Sequence, residues 1–311
     1  MTLLYADDAA YLVQDEPQRY ALGDPAAPLL VLNAADEFGV MWVCEEPDGW
    51  DSPSIDLPLD RRQGGHGAIP GEPTYEERTL SFTGSAEAPT PAAARAARTR
   101  LLRAFLDAVR SGEELLYTHL DEQPARSLYV LPSGQPRVAV DGRWIDYAFV
   151  LVAGDPIKRG ADATYGPVRL LSTAAEPGRS YTAGNRTYMA GLRSYPGGGS
   201  LAATVAFVPN VGDESAPALF RIAGPVPSPI VQLGTGEYVE LNLDLGALDT
   251  AEVDTDAGTV YVNGVNRFDA LVGRSTFPQI PPGGTEVRLR SRIGGSDPTA
   301  ALTITTTPRW T

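Results

Sequence analysis

Cysteine is almost missing from this sequence of 311 residues, because Cys44 is the only one. A single cysteine excludes an intrachain disulfide and any metal site built from several thiolates. Cys44 ends the apolar run Val40–Cys44. In that setting a small buried core residue is a better interpretation than a catalytic thiol. Thiol chemistry is therefore not expected.

Histidine is nearly as scarce, with only His66 and His119. A zinc-type site needs more ligands than two, or carboxylates at a defined spacing. The pair Asp254 and Asp256 lacks the glycine and the glutamate of an EF-hand loop. Solvated turn residues are the better interpretation of that pair. The sequence therefore predicts no metal ligand.

Basic charge is in deficit, since 25 Lys and Arg face 39 Asp and Glu and give a formal net charge of −14. Such a chain has no basic surface that could release phosphate counterions, so we expect no nucleic-acid binding. No window approaches the roughly 20 apolar residues of a membrane-spanning helix, so we expect no membrane insertion. The first residues lack the pattern of a signal peptide. We therefore expect a product that is made in the cytoplasm and stays there unless an assembly carries it out.

The usual catalytic and cofactor motifs are also missing. The segment Gly64–Gly67 has neither the spacing of a phosphate-binding loop nor that of a dinucleotide fingerprint, and Gly191–Gly199 lacks the lysine and the following helix. No G-x-S-x-G elbow occurs, although a Ser-His-Asp triad without this elbow remains an alternative, because one sequence does not show which residues meet in the fold. Paired carboxylates could be chosen anywhere among 39 acids, so they carry no information. The sequence predicts no catalytic residue and no cofactor.

One segment has the pattern of a long helix. Thr90 is a suitable N-cap, Pro91 suits the first helical position and Gly112 is a suitable stop. Leu101, Phe105 and Ala108, beside Leu102 and Val109, recur at helical spacing. A helix of about 20 residues spans about 30 Å, which is long enough to brace a sheet.

The rest of the chain has the pattern of strands and turns. The first half contains short apolar runs, an alternating segment Ile55–Leu59 typical of a half-buried strand, the alternating segment Arg78–Ser85 and a hairpin signal at Asp141-Gly142. From Pro167 onward, short runs recur about every ten residues, as in a β-sandwich or jelly roll. We therefore predict a mainly β chain of two domains, residues 1–156 and 157–311, with Asp155-Pro156 at the boundary.

Two further features of the first half suggest contacts with other molecules. The stretch Asp60–Tyr75 is polar and rich in glycine without periodicity, which predicts a long functional loop. We place this loop at a subunit interface, with these candidate residues: Arg61, Arg62, Gln63, Gly64, Gly65 and His66. Trp50 lies in a polar loop, where an exposed indole could stack on a glycan or enter a partner. Trp42 and Trp144 are predicted to be core residues. In the second half, Tyr195–Ser200, with Gly197–Gly199, is predicted to be a flexible loop.

The second half carries an ordered series of motifs that resembles a known family. The series runs Phe220-Arg221-Ile222-x-Gly224, Pro229-Ile230-Val231, Tyr238–Leu243, Glu252–Asp254, Gly258–Gly264, Phe277–Gly283 and Thr285–Leu289. In this order the motifs resemble the C-terminal β-sandwich of siphophage tail proteins. The first half is similar to the N-terminal belt domain of the same family, with an R-x-L-x-F-x-G strand at Arg78–Gly84, one helix, and a hairpin that ends near Ala153 and Asp155-Pro156.

The resemblance is to the distal tail proteins of siphophages, also called the Dit-like or siphovirus tail component family. It implies a β-rich belt domain with one long helix, which forms a homohexameric ring, and a galectin-like or jelly-roll sandwich. It also implies a virion protein made in the bacterial cytoplasm and located at the distal end of the tail. The implied partners are further copies of the chain, the tail tube protein, the tail tip or hub protein and the tape measure protein.

Three functions remain open at this point. The first is the structural ring subunit, which needs open strand edges or loops that reach across to a neighbour and needs no reactive centre. The second is a carbohydrate-binding or receptor-binding tail module that recognises a host cell-wall glycan, with Trp50 as the contact. The third, a cell-wall hydrolase, has the least support because no catalytic constellation is recognisable. The fold alone does not choose between them.

Overall fold

The computed structural model describes residues 18–24, 27–45, 47–112, 114–119, 125–170, 205–293 and 299–311. The chain forms two compact units, residues 1–160 with Thr311, and residues 161–310. Strands dominate both units, and the described residues contain one α-helix, so the prediction of a mainly β fold is confirmed. The ring-forming role of the first domain and the boundary after Pro156 stay predictions. The predicted loops at Gly191–Gly199 and Gly197–Gly199 lie outside the described residues.

The first unit contains thirteen strands within its described part. Their bounds are β1 (Arg19–Asp24), β2 (Ala27–Leu32), β3 (Ala34–Ala35), β4 (Met41–Cys44), β5 (Ile55–Asp56), β6 (Leu59–Arg61), β7 (Ala68–Pro70), β8 (Thr74–Tyr75), β9 (Arg78–Glu87), β10 (Glu114–His119), β11 (Ser127–Asp141), β12 (Trp144–Ala153) and β13 (Lys158–Arg159). Eight of them form one antiparallel sheet in the order β2-β1-β10-β11-β12-β9-β4-β3, and β13 pairs with β11.

One face of this sheet carries the core of the first unit. Along β12 the side chains of Ile145, Tyr147, Phe149 and Leu151 are buried and alternate with more exposed ones, as the period of two in a strand requires. Phe149 stacks on Phe82 of β9 with ring centroids 4.9 Å apart. The sheet is thus apolar on the face that packs inward.

The helix α1 (Pro91–Ser111) packs against β11 and β12 and covers this core. The side-chain oxygen of Thr90 accepts a hydrogen bond from the amide of Ala93, and the amide of Gly112, at φ +100°, donates to the carbonyl of Ala108. Both predicted caps are therefore present. Leu102 and Val109 depart from the prediction: Leu102 is half-buried and Val109 is 60% exposed, because they lie roughly a quarter turn round the helix from Leu101, at the edge of its buried side.

Two predicted strands in the first unit are one continuous strand. The sequence predicts separate runs at Arg126–Leu131 and Arg137–Val140, whereas β11 extends through both. A shift of register between Ser133 and Arg137 in its pairing with β12 absorbs the intervening turn-like residues as a bulge. The glycine and prolines of that stretch therefore bend a strand and do not end it.

The turn between β3 and β4 is tied to α1 by one carboxylate. Asp36 accepts hydrogen bonds from the amides of Phe38 and Val40, from the indole of Trp42 and from the guanidinium of Arg100 at 2.8 Å. Burial of Asp36 works to raise the pKa of its carboxyl, but the four hydrogen bonds together lower that pKa below its usual value. The charged form of Asp36 is therefore favoured by folding.

Asp36→Asn is expected to lower the free energy of unfolding by about 1–3 kcal/mol at neutral pH, because acceptor bonds to buried donors are weakened. A carboxyl whose pKa is lower in the folded state stabilises the fold above its unfolded pKa of about 3.9, and this contribution disappears as pH falls through the folded pKa. Urea unfolding of both proteins at several pH values should show the difference narrowing below about pH 4. A difference that stays constant down to pH 2 would contradict the assignment.

The second unit also contains thirteen strands within its described part. Their bounds are β14 (Ala163–Arg169), β15 (Val205–Val208), β16 (Ala218–Ala223), β17 (Val226–Pro227), β18 (Pro229–Leu233), β19 (Tyr238–Glu240), β20 (Asp244–Leu245), β21 (Thr250–Asp254), β22 (Thr259–Val262), β23 (Val265–Asn266), β24 (Thr285–Ser291), β25 (Ala301–Thr306) and β26 (Arg309–Trp310). A short 3-10 helix spans Phe268–Ala270.

These strands form a β-sandwich. One sheet has the order β14-β25-β16-β21-β22-β23 and the other has the order β15-β24-β18-β19, with antiparallel pairing throughout. Buried side chains from both sheets, among them Phe220, Ile304, Val231 and Leu289, belong to one hydrophobic cluster. Two sheets with a shared apolar interior are the arrangement that the ten-residue spacing predicts.

Candidate functional site

The glycine-rich segment of the first unit forms a projecting β-arm, defined here as residues 54–77. Ile55–Asp56 pairs with Thr74–Tyr75, and Leu59–Arg61 pairs with Ala68–Pro70. The amide of Gly71 donates to the carbonyl of Pro58 at 2.7 Å between the two pairs. The prediction that Asp60–Tyr75 is an irregular loop is therefore wrong for the residues that pair as strands, which are seven of the sixteen. The local sequence lacks a strand pattern, and the pairing across the arm supplies the structure.

The tip of the arm holds all six residues that the sequence proposes for a subunit interface. Each of them is exposed, and the hydrogen bond from the amide of Arg62 to the carbonyl of Gly67, at 3.3 Å, closes the turn. Gly64 and Gly67 have φ of +77° and +89°, which glycine adopts without strain. The structure brings these residues together: Arg61, Arg62, Gln63, Gly64, Gly65 and His66. Their role at an interface stays a prediction.

The stem of the arm is amphipathic but has no core beneath it. Ile55, Leu57 and Leu59 alternate with polar residues and are 61%, 46% and 62% exposed. The sequence predicts a half-buried strand here, and in the single chain that prediction is wrong because nothing covers the apolar side chains. Ile69 and Tyr75 on the returning strands are exposed as well. Clustered exposed apolar side chains of this kind mark a surface for a partner.

The root of the arm is locked by Arg78, the first residue of β9. Its side chain is 1% exposed and its guanidinium donates to the carbonyls of Pro156, Gly49 and Trp50. Burial lowers the pKa of Arg78, and the charge of Asp51 opposes that shift. Because Arg78 follows the last arm residue directly, these bonds fix the end of the arm to the loop that precedes its start.

Lys158, the one lysine of the chain, holds the same loop from β13. Its ammonium group donates to the carbonyl of Asp51 at 3.1 Å and lies 5.3 Å from the ring centroid of Trp50. Gly49 has φ +85°, and a Cβ there would lie 2.1 Å from the carbonyl oxygen of Thr79, so no larger residue fits. Two buried cations and one obligatory glycine thus make the root of the arm rigid.

Trp50 is part of this root and is not an exposed loop residue. It is 4% exposed and its ring meets that of Tyr20 edge to face, with centroids 5.5 Å apart. The expectation that the indole of Trp50 is exposed is therefore wrong, and this burial argues against a contact of Trp50 with a glycan or a partner. Trp144, predicted to be core, is 53% exposed, since it lies one residue out of phase with buried Ile145. Trp42 is buried as predicted.

The other residues that could carry chemistry are buried or take part in hydrogen bonds and ion pairs within the fold. Cys44 is buried, which raises the pKa of its thiol. Asp254 accepts hydrogen bonds from the amides of Asp256 and Ala257, and Asp256 pairs with Arg309 at 2.7 Å. Within the described ranges no three His, Cys, Asp or Glu side chains converge on a possible metal site. Nor is any helix among those residues long and apolar enough to cross a membrane.

The buried cations at the arm root were missed by the sequence reasoning, although one signal was available. Arg78 has the same parity as Leu80 and Phe82, so the alternation that places those two in the core also turns Arg78 inward. Lys158 offers no such signal, because β13 has only two residues. Its partner Asp51 is more than a hundred positions away in sequence, beyond the reach of local patterns.

Comparison with known protein families supports the resemblance stated above. Residues 211–310 match the family model described as the siphovirus-type tail component, C-terminal domain. This range contains most of the second unit's strands and the motifs from Phe220 to Leu289. A comparison with curated proteins gave no match.

Solved structures of phage tail components are similar over almost the whole chain. The crystal structure of the Dit protein of phage SPP1, described as a paradigm of the hub adsorption apparatus in phages that infect Gram-positive bacteria, has a TM-score of 0.62 at 14% identity. It covers 94% of this chain and 99% of that one. The activated baseplate of phage P2 with Ca has a TM-score of 0.47 at 8% identity and covers 94% of this chain and 98% of that one. The resemblance to the siphovirus tail component family is thus confirmed, by a C-terminal domain match over residues 211–310 and by the fold of SPP1 Dit.

Proposed function

We propose that this chain is a structural subunit of a siphophage tail. Its copies form a homohexameric ring at the distal end of the tail tube, and the ring links the tube to the tail tip or baseplate. The observation that carries the proposal is the arm, whose apolar stem is exposed in the single chain and whose root is rigid. A subunit that must reach a neighbour needs such an element.

The similarities to phage tail components support the location of the ring. On this proposal the chain is a virion protein of the tail with these partners: further copies of itself, the tail tube protein, the tail tip or hub protein and the tape measure protein. The proposal assigns no enzymatic activity and no cofactor to the chain. Carbohydrate recognition by the second unit has lost its candidate contact, because Trp50 is a core residue of the first unit.

The mass of the purified assembly tests the ring directly. Light scattering after size-exclusion chromatography is expected to give about six chain masses, either for the protein alone or after addition of tail tube protein, and negative-stain images should show closed rings. Buffers from low to moderate ionic strength should be compared, because charged contacts weaken with salt. Only monomers under all these conditions, with tube protein present, would count decisively against the proposal.

A further inference from the structure

The outer face of α1, the side that carries Leu102, Leu106 and Val109, is not packed against another element among the described residues. Leu102, Leu106 and Val109 follow one another at spacings of four and three, next to the buried side that carries Leu101, and Leu106 and Val109 are more than half exposed. A surface helix in a globular protein normally has one apolar stripe, which faces the core. The apolar surface of this helix therefore extends beyond the side that the core of its own unit covers.

The same face is strongly basic in a chain that is acidic overall. The helix carries five arginines and one aspartate, although the whole chain has 14 more acidic than basic residues. Arg95, seven residues before Leu102, is exposed at the N-terminal end of the apolar stripe, and Arg103 is exposed beside it; neither pairs with a carboxylate among the described residues. A partner for this face needs apolar side chains flanked by acidic ones.

The arm has the complementary composition. It combines exposed Ile55, Leu57 and Leu59 with five carboxylates, and none of these carboxylates forms an ion pair within the described part of the chain. The five are Asp56, Asp60, Glu72, Glu76 and Glu77. Asp60 lies at the end of the stem beside Ile69, so acidic and apolar groups are interleaved along it.

The dimensions of the two elements also agree. From residue 55 to the tip near residue 63 the arm extends about 25–30 Å at the rise of a strand. The 21 residues of α1 extend about 30 Å. Hydrogen bonds fix the root of the arm and the inner face of the helix is packed against the core, so less ordering would be required when the two elements meet.

We propose that the arm of one subunit lies along the outer face of α1 of the next copy of the chain. This inference rests on the proposed ring and names the contact that builds it. The partner is another copy because, within one chain, the apolar side chains of both surfaces are exposed, so the arm does not cover its own helix. Two different surfaces of one chain make a head-to-tail contact, which closes into a ring when the rotation between copies allows it.

A charge exchange between the two surfaces tests the contact. The helix variant R95E/R103E and the arm variant D60R/E72R are each expected to weaken assembly at least tenfold, measured as the concentration of half dissociation in light scattering. The combined four-substitution variant should recover most of the loss, because the ion pairs are restored with reversed sign. R274E/R290E, which changes the net charge equally on exposed residues of the second unit, is the matched control and should assemble like the wild type.

A covalent trap gives a second readout that does not depend on charge. Under mild oxidation the variant L59C/L106C should form a ladder of disulfide-linked copies, whereas each single variant should give no species larger than a dimer. Circular dichroism shows whether each variant is folded. If the wild type forms a ring but R95E/R103E assembles equally well, or L59C/L106C gives no ladder, the arm-to-helix contact is overturned and the proposed ring is not. A wild type that never assembles overturns both.

Discussion

Replacing residues 57–73 by Asn-Gly is expected to give a folded chain that no longer assembles. The change keeps the pairing of Ile55–Asp56 with Thr74–Tyr75 and closes it with a two-residue turn suited to a hairpin. None of the removed side chains is buried in the first unit, so its core is unaffected. Loss of assembly without loss of folding is the signature of an element that exists for contact with a neighbour.

The size of the effect follows from the apolar side chains that are removed. Leu57, Leu59 and Ile69 would each contribute about 1.5–3 kcal/mol when buried against a partner. Even half of that sum weakens association at least about 40-fold. Light scattering over a dilution series measures the loss, and thermal unfolding followed by circular dichroism should give an unchanged melting temperature.

A smaller deletion separates the tip of the arm from its stem. Removal of Gly64–Gly67 alone leaves both strand pairs and most exposed apolar groups in place. If this deletion also reduces assembly, the tip of the arm lies at the interface as predicted. Unchanged assembly would contradict that prediction and confine the contact to the stem. Unchanged assembly of the 57–73 variant would remove the arm from the interface altogether.

Local signals were sufficient to predict the helix. Thr90, Pro91 and Gly112 mark its ends through interactions within a few residues, and the spacing of Leu101, Phe105 and Ala108 marks its inner face. Strands such as β9 and β12 were predictable for the same reason, because alternation is a property of neighbouring residues. These elements need no information from distant parts of the chain.

The arm shows what local sequence patterns do not predict. The alternation of Ile55, Leu57 and Leu59 correctly indicates one apolar face, but a sequence pattern does not say which molecule covers that face. The pattern of a half-buried strand is therefore satisfied only if the burial occurs in an assembly. The three-residue strands β6 and β7 were not predictable, since they are shorter than one clear period of alternation and depend on their mutual pairing.

The tryptophans also show which features follow from local patterns and which depend on distant residues. Trp50 is surrounded by loop residues in sequence, yet Arg78 and Lys158 hold its loop from distant strands and close the core over its ring. Trp144 was assigned to the core by residue type, although its parity opposes that of Ile145. Parity is the stronger predictor in a strand whose one face is buried.

Arg78→Met is expected to be the most destabilising single substitution in the first unit. The change would leave the carbonyls of Gly49, Trp50 and Pro156 without their donor inside the protein. The substitution leaves buried acceptors without partners and removes the contacts of a buried charge. Together these losses lower the free energy of unfolding by about 3–5 kcal/mol. Folded domains are stable by only about 5–15 kcal/mol, so a large share of the stability would disappear.

Fluorescence-detected unfolding measures this loss, because three of the four tryptophans, Trp42, Trp50 and Trp144, lie in the first unit. A fall in melting temperature of about 10–15 °C corresponds to the expected change. Arg143→Met is the matched control, since Arg143 forms an exposed ion pair with Glu87 that is worth less than about 1 kcal/mol. Arg78→Lys should lie between the two, because it keeps the charge and loses the planar fork. If Arg78→Met and Arg143→Met have the same melting temperature, the guanidinium of Arg78 is not what fixes the arm to its unit.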